Sequence, residues 1–147
     1  MPAVTFHFNC PDRVVHAARL VRKAHRQAMR VTVLGQATDL DKLDRLLWTA
    51  DPLDFVAHLL VRPGSAPAAS LAETPIWLVE RLADAPAWRT LIHLGDEMPE
   101  DVQRFDRIAE IVPASEPGRS AGRQRWRHYR EAGLAIEAFD AGASGEG

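Results

Sequence analysis

Val4, Phe6 and Phe8 alternate with Thr5, His7 and Asn9, the period of two that lets a strand bury one face, and the run breaks at Cys10-Pro11-Asp12. Val14, Ala17, Ala18, Val21, Ala24 and Ala28 then recur at helical spacing, with Arg13, Arg22, Lys23 and Arg26 on the other side, before the β-rich RVTVLG of Arg30 to Gly35. A strand, a helix and a second strand in succession share a sheet by crossing over, which makes the two strands parallel. Residues 1–35 therefore read as a βαβ unit, and the rest of the chain must be compatible with one.

The alternation continues. Asp39 is placed to cap a second helix carrying Leu40, Leu43, Leu46 and Leu47, and Asp51-Pro52 stops that helix near Trp48. FVAHLLV from Phe55 reads as an apolar strand or short buried segment, and residues 62–73, rich in Pro, Ser, Gly and Ala, as a surface loop. PIWLV, TLIHLG and AEIVP, from Pro75, Thr90 and Ala109, are expected strands, with Trp77 in the core. PEDVQRFDRI is expected to form a short helix between the last two, with Pro99 in its first turn. The expected fold class is α/β: one domain, residues 1–140, with a mostly parallel central sheet covered by helices on both faces. Residues 141–147, AGASGEG, are expected to be a disordered tail.

A chain of 147 residues with 46% hydrophobic and 26% charged side chains has the apolar surface for one soluble domain. No run reaches the apolar length of a membrane span, and MPAVTFHFNCPDRV shows no charged leader before an apolar block, so a cytosolic protein without membrane contact is expected. The lone Cys10 has no second cysteine for a disulfide or a zinc knuckle, and reads as an inert, partly buried thiol.

An α/β sheet raises the question of nucleotide binding, and the turn after the first strand answers it. That turn, NCPDRV, has neither G-x-G-x-x-G nor G-x-x-x-x-G-K-[ST], so its backbone cannot approach a pyrophosphate closely. The expected architecture is Rossmann-like without the nucleotide-binding loop. The histidines at 7, 16, 25, 58, 93 and 128 show no H-x-x-x-H spacing, so no metal is expected. The acid pairs Asp41 with Asp44 and Glu100 with Asp101 read as solvated helix beginnings. No catalytic residue and no cofactor are expected.

The charge distribution is uneven. Net charge is −2, yet Arg119 to Arg130 holds five arginines and no acid, leaving 13 basic against 20 acidic residues elsewhere. A local positive field on an acidic body draws an anionic partner to one place and repels it elsewhere. A Pro-Gly break precedes the stretch and Gly133 follows it, so a helix ending at about Ala132 is expected. On that helix Arg119, Arg123, Trp126, Arg127 and Arg130 share one face, while Trp126, Tyr129 and Ala132 turn toward the sheet. One reading is a solvated basic helix anchored by its aromatics. The other is a binding face, because dense guanidinium groups repel one another until an anion visits, and an indole among them seats that anion's apolar neighbour. The pattern suits an acidic peptide with an aromatic end.

Three segments in order, LDRLLWTADPLDFVAHLL (Leu43 to Leu60), EIVP (Glu110 to Pro113) and GRQRWRHYREAGL (Gly122 to Leu134), resemble the chi-subunit family of bacterial DNA polymerase III holoenzyme. The resemblance spans the chain, apart from the Pro-rich loop and the tail. It implies a non-catalytic accessory protein of the clamp loader, cytoplasmic and replisome-associated. Such a protein pairs with the psi subunit and grips the acidic, Phe-ended C-terminal tail of single-stranded-DNA-binding protein, so that it meets single-stranded DNA only indirectly. Carried over by position, Trp48 and Val112 are implied as apolar walls of the tail pocket, Trp126 as its aromatic side, and Arg123 and Arg127 as carboxylate-pairing cations. Arg119 is implied as an outer steering charge and Phe55 as the psi contact. Family members also use Tyr and Lys at 126 and 127, which keeps one aromatic and one cation. A small α/β nucleotide-binding protein or enzyme is the alternative.

Overall fold

The computed structural model describes residues 1–49 and 55–142. Seven strands, β1 (Ala3–Cys10), β2 (Val31–Leu34), β3 (His58–Val61), β4 (Ile76–Val79), β5 (Thr90–His93), β6 (Arg107–Pro113) and β7 (Ala135–Asp140), form one sheet in the order β3-β4-β2-β5-β6-β1-β7. Every pairing is parallel, consistent with the parallel strands expected of the opening βαβ unit, although β1 and β2 are separated by β5 and β6. Three helices cover the sheet: α1 (Arg13–Arg26), α2 (Ala37–Thr49) and α3 (Gly118–Glu131).

Adjacent residues on a strand face opposite ways, and the two cores follow that alternation. Ile92 and Ile111 pack with Val14, Val21, Leu40 and Leu43 under α1 and α2, whereas Leu91 and Val112 pack with Val4, Phe6 and Tyr129 under α3. The pair α1 and α2 thus lies on one face, and α3 lies on the other over β6, β1 and β7.

Asp12 caps α1 as its position suggests, its Oδ1 accepting the N–H groups of Val14 at 3.0 Å and Val15 at 3.2 Å. Gly133, at φ +80, ends α3 in the left-handed conformation that its position after the helix requires. Trp77 is core, 7% exposed, with its indole N–H donated to the Thr74 carbonyl.

Four expectations need correction. The helix α2 begins at Ala37, with Leu40 N–H already bonded to the Gln36 carbonyl, so Asp39 lies inside the first turn and is not the cap. The expected helix in PEDVQRFDRI shrinks to a single 3-10 turn at Val102–Arg104. Asp101 before the turn is left-handed, at φ 51, and the buried Phe105 after it draws the chain straight into β6, which starts at Arg107. The acids Asp41 and Asp44 are not merely solvated: Asp44 accepts from His58 Nε2 at 2.8 Å and Asp41 from Arg62 Nη2 at 2.7 Å, tying α2 to β3 and the residue after it. The strand β7 was not expected at all. It lies at the sheet edge in register with β1, Ala3 opposite Ala135, and its mostly exposed residues carry no apolar periodicity to announce it. After β7, Ala141 is 5% exposed and bonds to the Phe8 carbonyl, while 143–147 fall outside the described residues, as does the Asp51-Pro52 stop.

Candidate functional site

The helix α3 turns Gly118, Gly122, Arg125 and Tyr129 inward, a stripe at i, i+4, i+7 and i+11. The two glycines set how deeply it seats. A Cβ at Gly122 would lie 2.5 Å from Val112 Cγ1, and one at Gly118 would lie 2.2 Å from Pro113 Cγ, so only glycine lets α3 rest directly on the end of β6. Ala132, expected to face the sheet, is exposed, because Leu134 fills that end of the core instead.

Arg125 holds the same seat by charge. It is 1% exposed, donates from Nε to Glu110 Oε1 at 2.8 Å, and reaches the Asp96 carbonyl through Nη1 at 2.8 Å. Tyr129 OH donates to Glu110 Oε2 at 2.7 Å, and His93 Nδ1 meets Oε1 at 2.7 Å. Burial pushes the Glu110 carboxyl upward, but the neighbouring His93 and Arg125, with the hydrogen bonds from His93 and Tyr129, overcome that and hold it below the usual carboxylate range. Burial and the neighbouring Glu110 charge push the Tyr129 hydroxyl well up, which keeps it a donor. Arg125 is therefore a core ion-pair partner, and the surface charge of α3 is carried by four arginines where sequence reasoning counted five.

Those four, Arg119, Arg123, Arg127 and Arg130, are exposed, and none forms an ion pair with a described residue. They rim a concavity of about 700 Å³ whose wall and floor include Phe6, Val112, Gly122 and Trp126, closed on the far side by Phe8 of β1 and Ala138 of β7. Trp126 is fixed edge-on against Phe6, ring centroids 5.1 Å apart at 61°. Glu116 Oε1 accepts the Ser120 N–H at 2.9 Å, and hydrogen bonding to Ser120 holds its carboxyl below the usual carboxylate range. The arrangement offers exposed guanidinium groups around an apolar slot, which is the chemistry of an anionic ligand with an apolar end.

Val112, Arg119, Arg123, Trp126 and Arg127 thus come together as the sequence suggests. Trp48 does not join them. At the end of α2 it packs on His58 at 4.8 Å and Phe55 at 5.6 Å, beside edge strand β3, with β4, β2 and β5 between it and the strands under α3. The reason is topological: α2 leads into β3, and β3 is the edge farthest from β7. Trp48 is 55% and Phe55 60% exposed, and their rings form one exposed aromatic pair. Sequence reasoning missed Phe6, Phe8 and Ala138 as concavity residues. Nothing in the local pattern separates them from core, since their role depends on β7 lying beside β1.

The turn after β1 offers no phosphate site: the Asp12 carboxylate occupies the first N–H groups of α1, and burial raises the Cys10 thiol above its ordinary value. His7 Nδ1 and His16 Nε2 meet at 3.0 Å beside it; burial, then the neighbouring charges of His16 and Lys23, lower His7 to about 4, and burial followed by Arg19 lowers His16. Among the described residues no helix is long and apolar enough to cross a membrane, and no three His, Cys, Asp or Glu side chains cluster to hold a metal.

Residues 1–137 match the family described as DNA polymerase III chi subunit, HolC. The DNA polymerase III subunit chi of Pseudomonas aeruginosa is 34% identical over 128 residues, covering 85% of this chain and 84% of that protein. That of Haemophilus influenzae is 29% identical over 104 residues, covering 69% and 67%.

Proposed function

Because the chain belongs to the DNA polymerase III chi subunit family of replication proteins, we propose that it is a non-catalytic bridge within the cytoplasmic replisome. Its arginine concavity holds the acidic, Phe-ended tail of single-stranded-DNA-binding protein, and its Trp48–Phe55 patch holds the psi subunit of the clamp loader. The protein then reaches single-stranded DNA only through the tail it grips.

The observation that carries this reading is the pairing of four arginines outside any described ion pair with an apolar slot of about 700 Å³. Aspartates of the tail meet the rim charges, its terminal carboxylate meets Arg123 or Arg127, and its phenyl ring enters between Val112 and Trp126. Arg119, at the start of α3, acts at longer range by steering. Trp48, assigned to the tail pocket by family position, moves to the psi surface on geometric grounds, since it touches Phe55 and lies away from α3.

Calorimetry with a nonapeptide copying the bacterial tail tests the reading, with AMP and oligo-dT as controls. Saturable binding of the peptide that is lost on amidating its C-terminus supports it. Binding of a control in place of the peptide favours the nucleotide-binding alternative and overturns it.

A further inference from the structure

A second cavity, of about 550 Å³, opens where β2, β4 and β5 end, and shares no lining residue with the arginine concavity. Its walls include Leu34 and Gly35 after β2, Glu80 after β4, and His93 and Gly95 at the end of β5. In open parallel sheets the crevice outside the carboxyl ends of the strands is where ligands are received.

His93 is the buried polar group of this crevice, only 2% exposed. Its Nδ1 is engaged by Glu110 Oε1 at 2.7 Å, and an ionised Glu110 only accepts, so Nδ1 carries the hydrogen. Nε2 lies on the other edge of the ring and has no hydrogen-bond partner among the described residues. Gly95 keeps that edge open: a Cβ there would stand 3.0 Å from Nε2. Around the mouth, Glu80, Glu97 and Glu100 are in no ion pair with a described residue, whereas Arg81 is held by Asp84 and Asp96 by Arg13. The first turn of α2 also borders the cavity, and its N–H groups would favour an anion, but Asp39 already sits within that turn. An unbonded ring nitrogen at the base of an acidic mouth suits a cationic hydrogen-bond donor.

We propose that this cavity binds a guanidinium or alkylammonium group, whose N–H donates to His93 Nε2 while Glu80, Glu97 and Glu100 supply countercharge. The group comes either from a small free amine or from a basic side chain of a peptide.

Nuclear magnetic resonance of the histidine ring nitrogens in the full-length protein tests this, with L-argininamide and a capped Gly-Arg-Gly peptide as the cationic probes and inorganic phosphate and AMP as anionic ones. The expected result is a saturable shift of His93 Nε2 with a cationic probe and none with the anions. A response to argininamide identifies a small-molecule site, and a response to the capped peptide alone identifies a peptide site. Gly95→Ala, which crowds Nε2 without touching Glu110 or Arg125, should abolish the shift. The surface change Glu97→Gln with Glu100→Gln should weaken binding by about tenfold, as loss of attraction at the mouth does. No shift with either cation, a stronger response to phosphate or AMP, or binding indifferent to both variants overturns the proposal.

Discussion

Gly122→Ala separates a seated α3 from one merely lying on the sheet. In an exposed helix interior, replacing Gly by Ala stabilises by about 1 kcal/mol. Here the new Cβ would stand 2.5 Å from Val112 Cγ1 and 2.7 Å from Cγ2, roughly 1 Å inside the ordinary carbon contact distance. Either α3 lifts or Val112 leaves its rotamer, an overpacking that costs about 1–3 kcal/mol. The net expectation is a loss of about 1 kcal/mol, so the sign itself is diagnostic. Val112→Ala removes both clashing methyls, and in the double variant Gly122→Ala should recover its stabilising character, a coupling of about 2 kcal/mol. Urea unfolding followed by tryptophan fluorescence measures all four corners of this cycle. Gly122→Ala that is more stable than the parent, with no coupling to Val112, would refute the close seat of α3 and with it the fixed placement of Arg123 and Arg127.

Arg123→Ala should weaken the tail peptide by on the order of 2 kcal/mol and Arg119→Ala by well under 1, as a close charged contact differs from a rim charge; calorimetry at two salt concentrations separates them, and equal losses would reduce both to a diffuse field. Glu110→Gln should cost about 3 kcal/mol in urea unfolding, because it leaves Arg125 buried without its counter-ion. Acid should destabilise the fold through His7: its folded value of about 4 lies below the ordinary histidine value of 6.5, so the unfolded chain binds the proton more tightly and stability present above 6.5 is lost as pH falls toward 4. Thermal unfolding across that window should show a shallower slope in His7→Gln, and an unchanged slope would remove His7 as the cause. Phe55→Ala should weaken psi in a pull-down and leave the tail titration unchanged.

Periodicity made much of the fold legible, since an α/β sheet built from βαβ units repeats its period of two and its helical spacing along the chain. The misses share a cause: they depend on neighbours that only the sheet order supplies. The strand β7 is exposed and reads as loop until β1 is placed beside it. Arg125 looks like its four neighbours in the arginine run, but its helical phase coincides with Gly118 and Gly122, and those two glycines were the available signal that it faces inward. The family resemblance carried Val112, Arg123, Trp126 and Arg127 to one concavity because three of them share a helix face and β6 lies beneath it. Trp48, assigned by the resemblance to the same pocket, lies apart from that concavity, because order in sequence says nothing about which edge of the sheet a helix end reaches.

The bridge is tested most directly by titrating the tail nonapeptide into the protein alone and into the protein saturated with psi. Two surfaces at opposite ends of the sheet predict the same tail affinity in both, within about twofold, since a coupling free energy near zero leaves each ligand indifferent to the other. Loss of tail binding in the psi complex would place both partners on one surface and contradict the account.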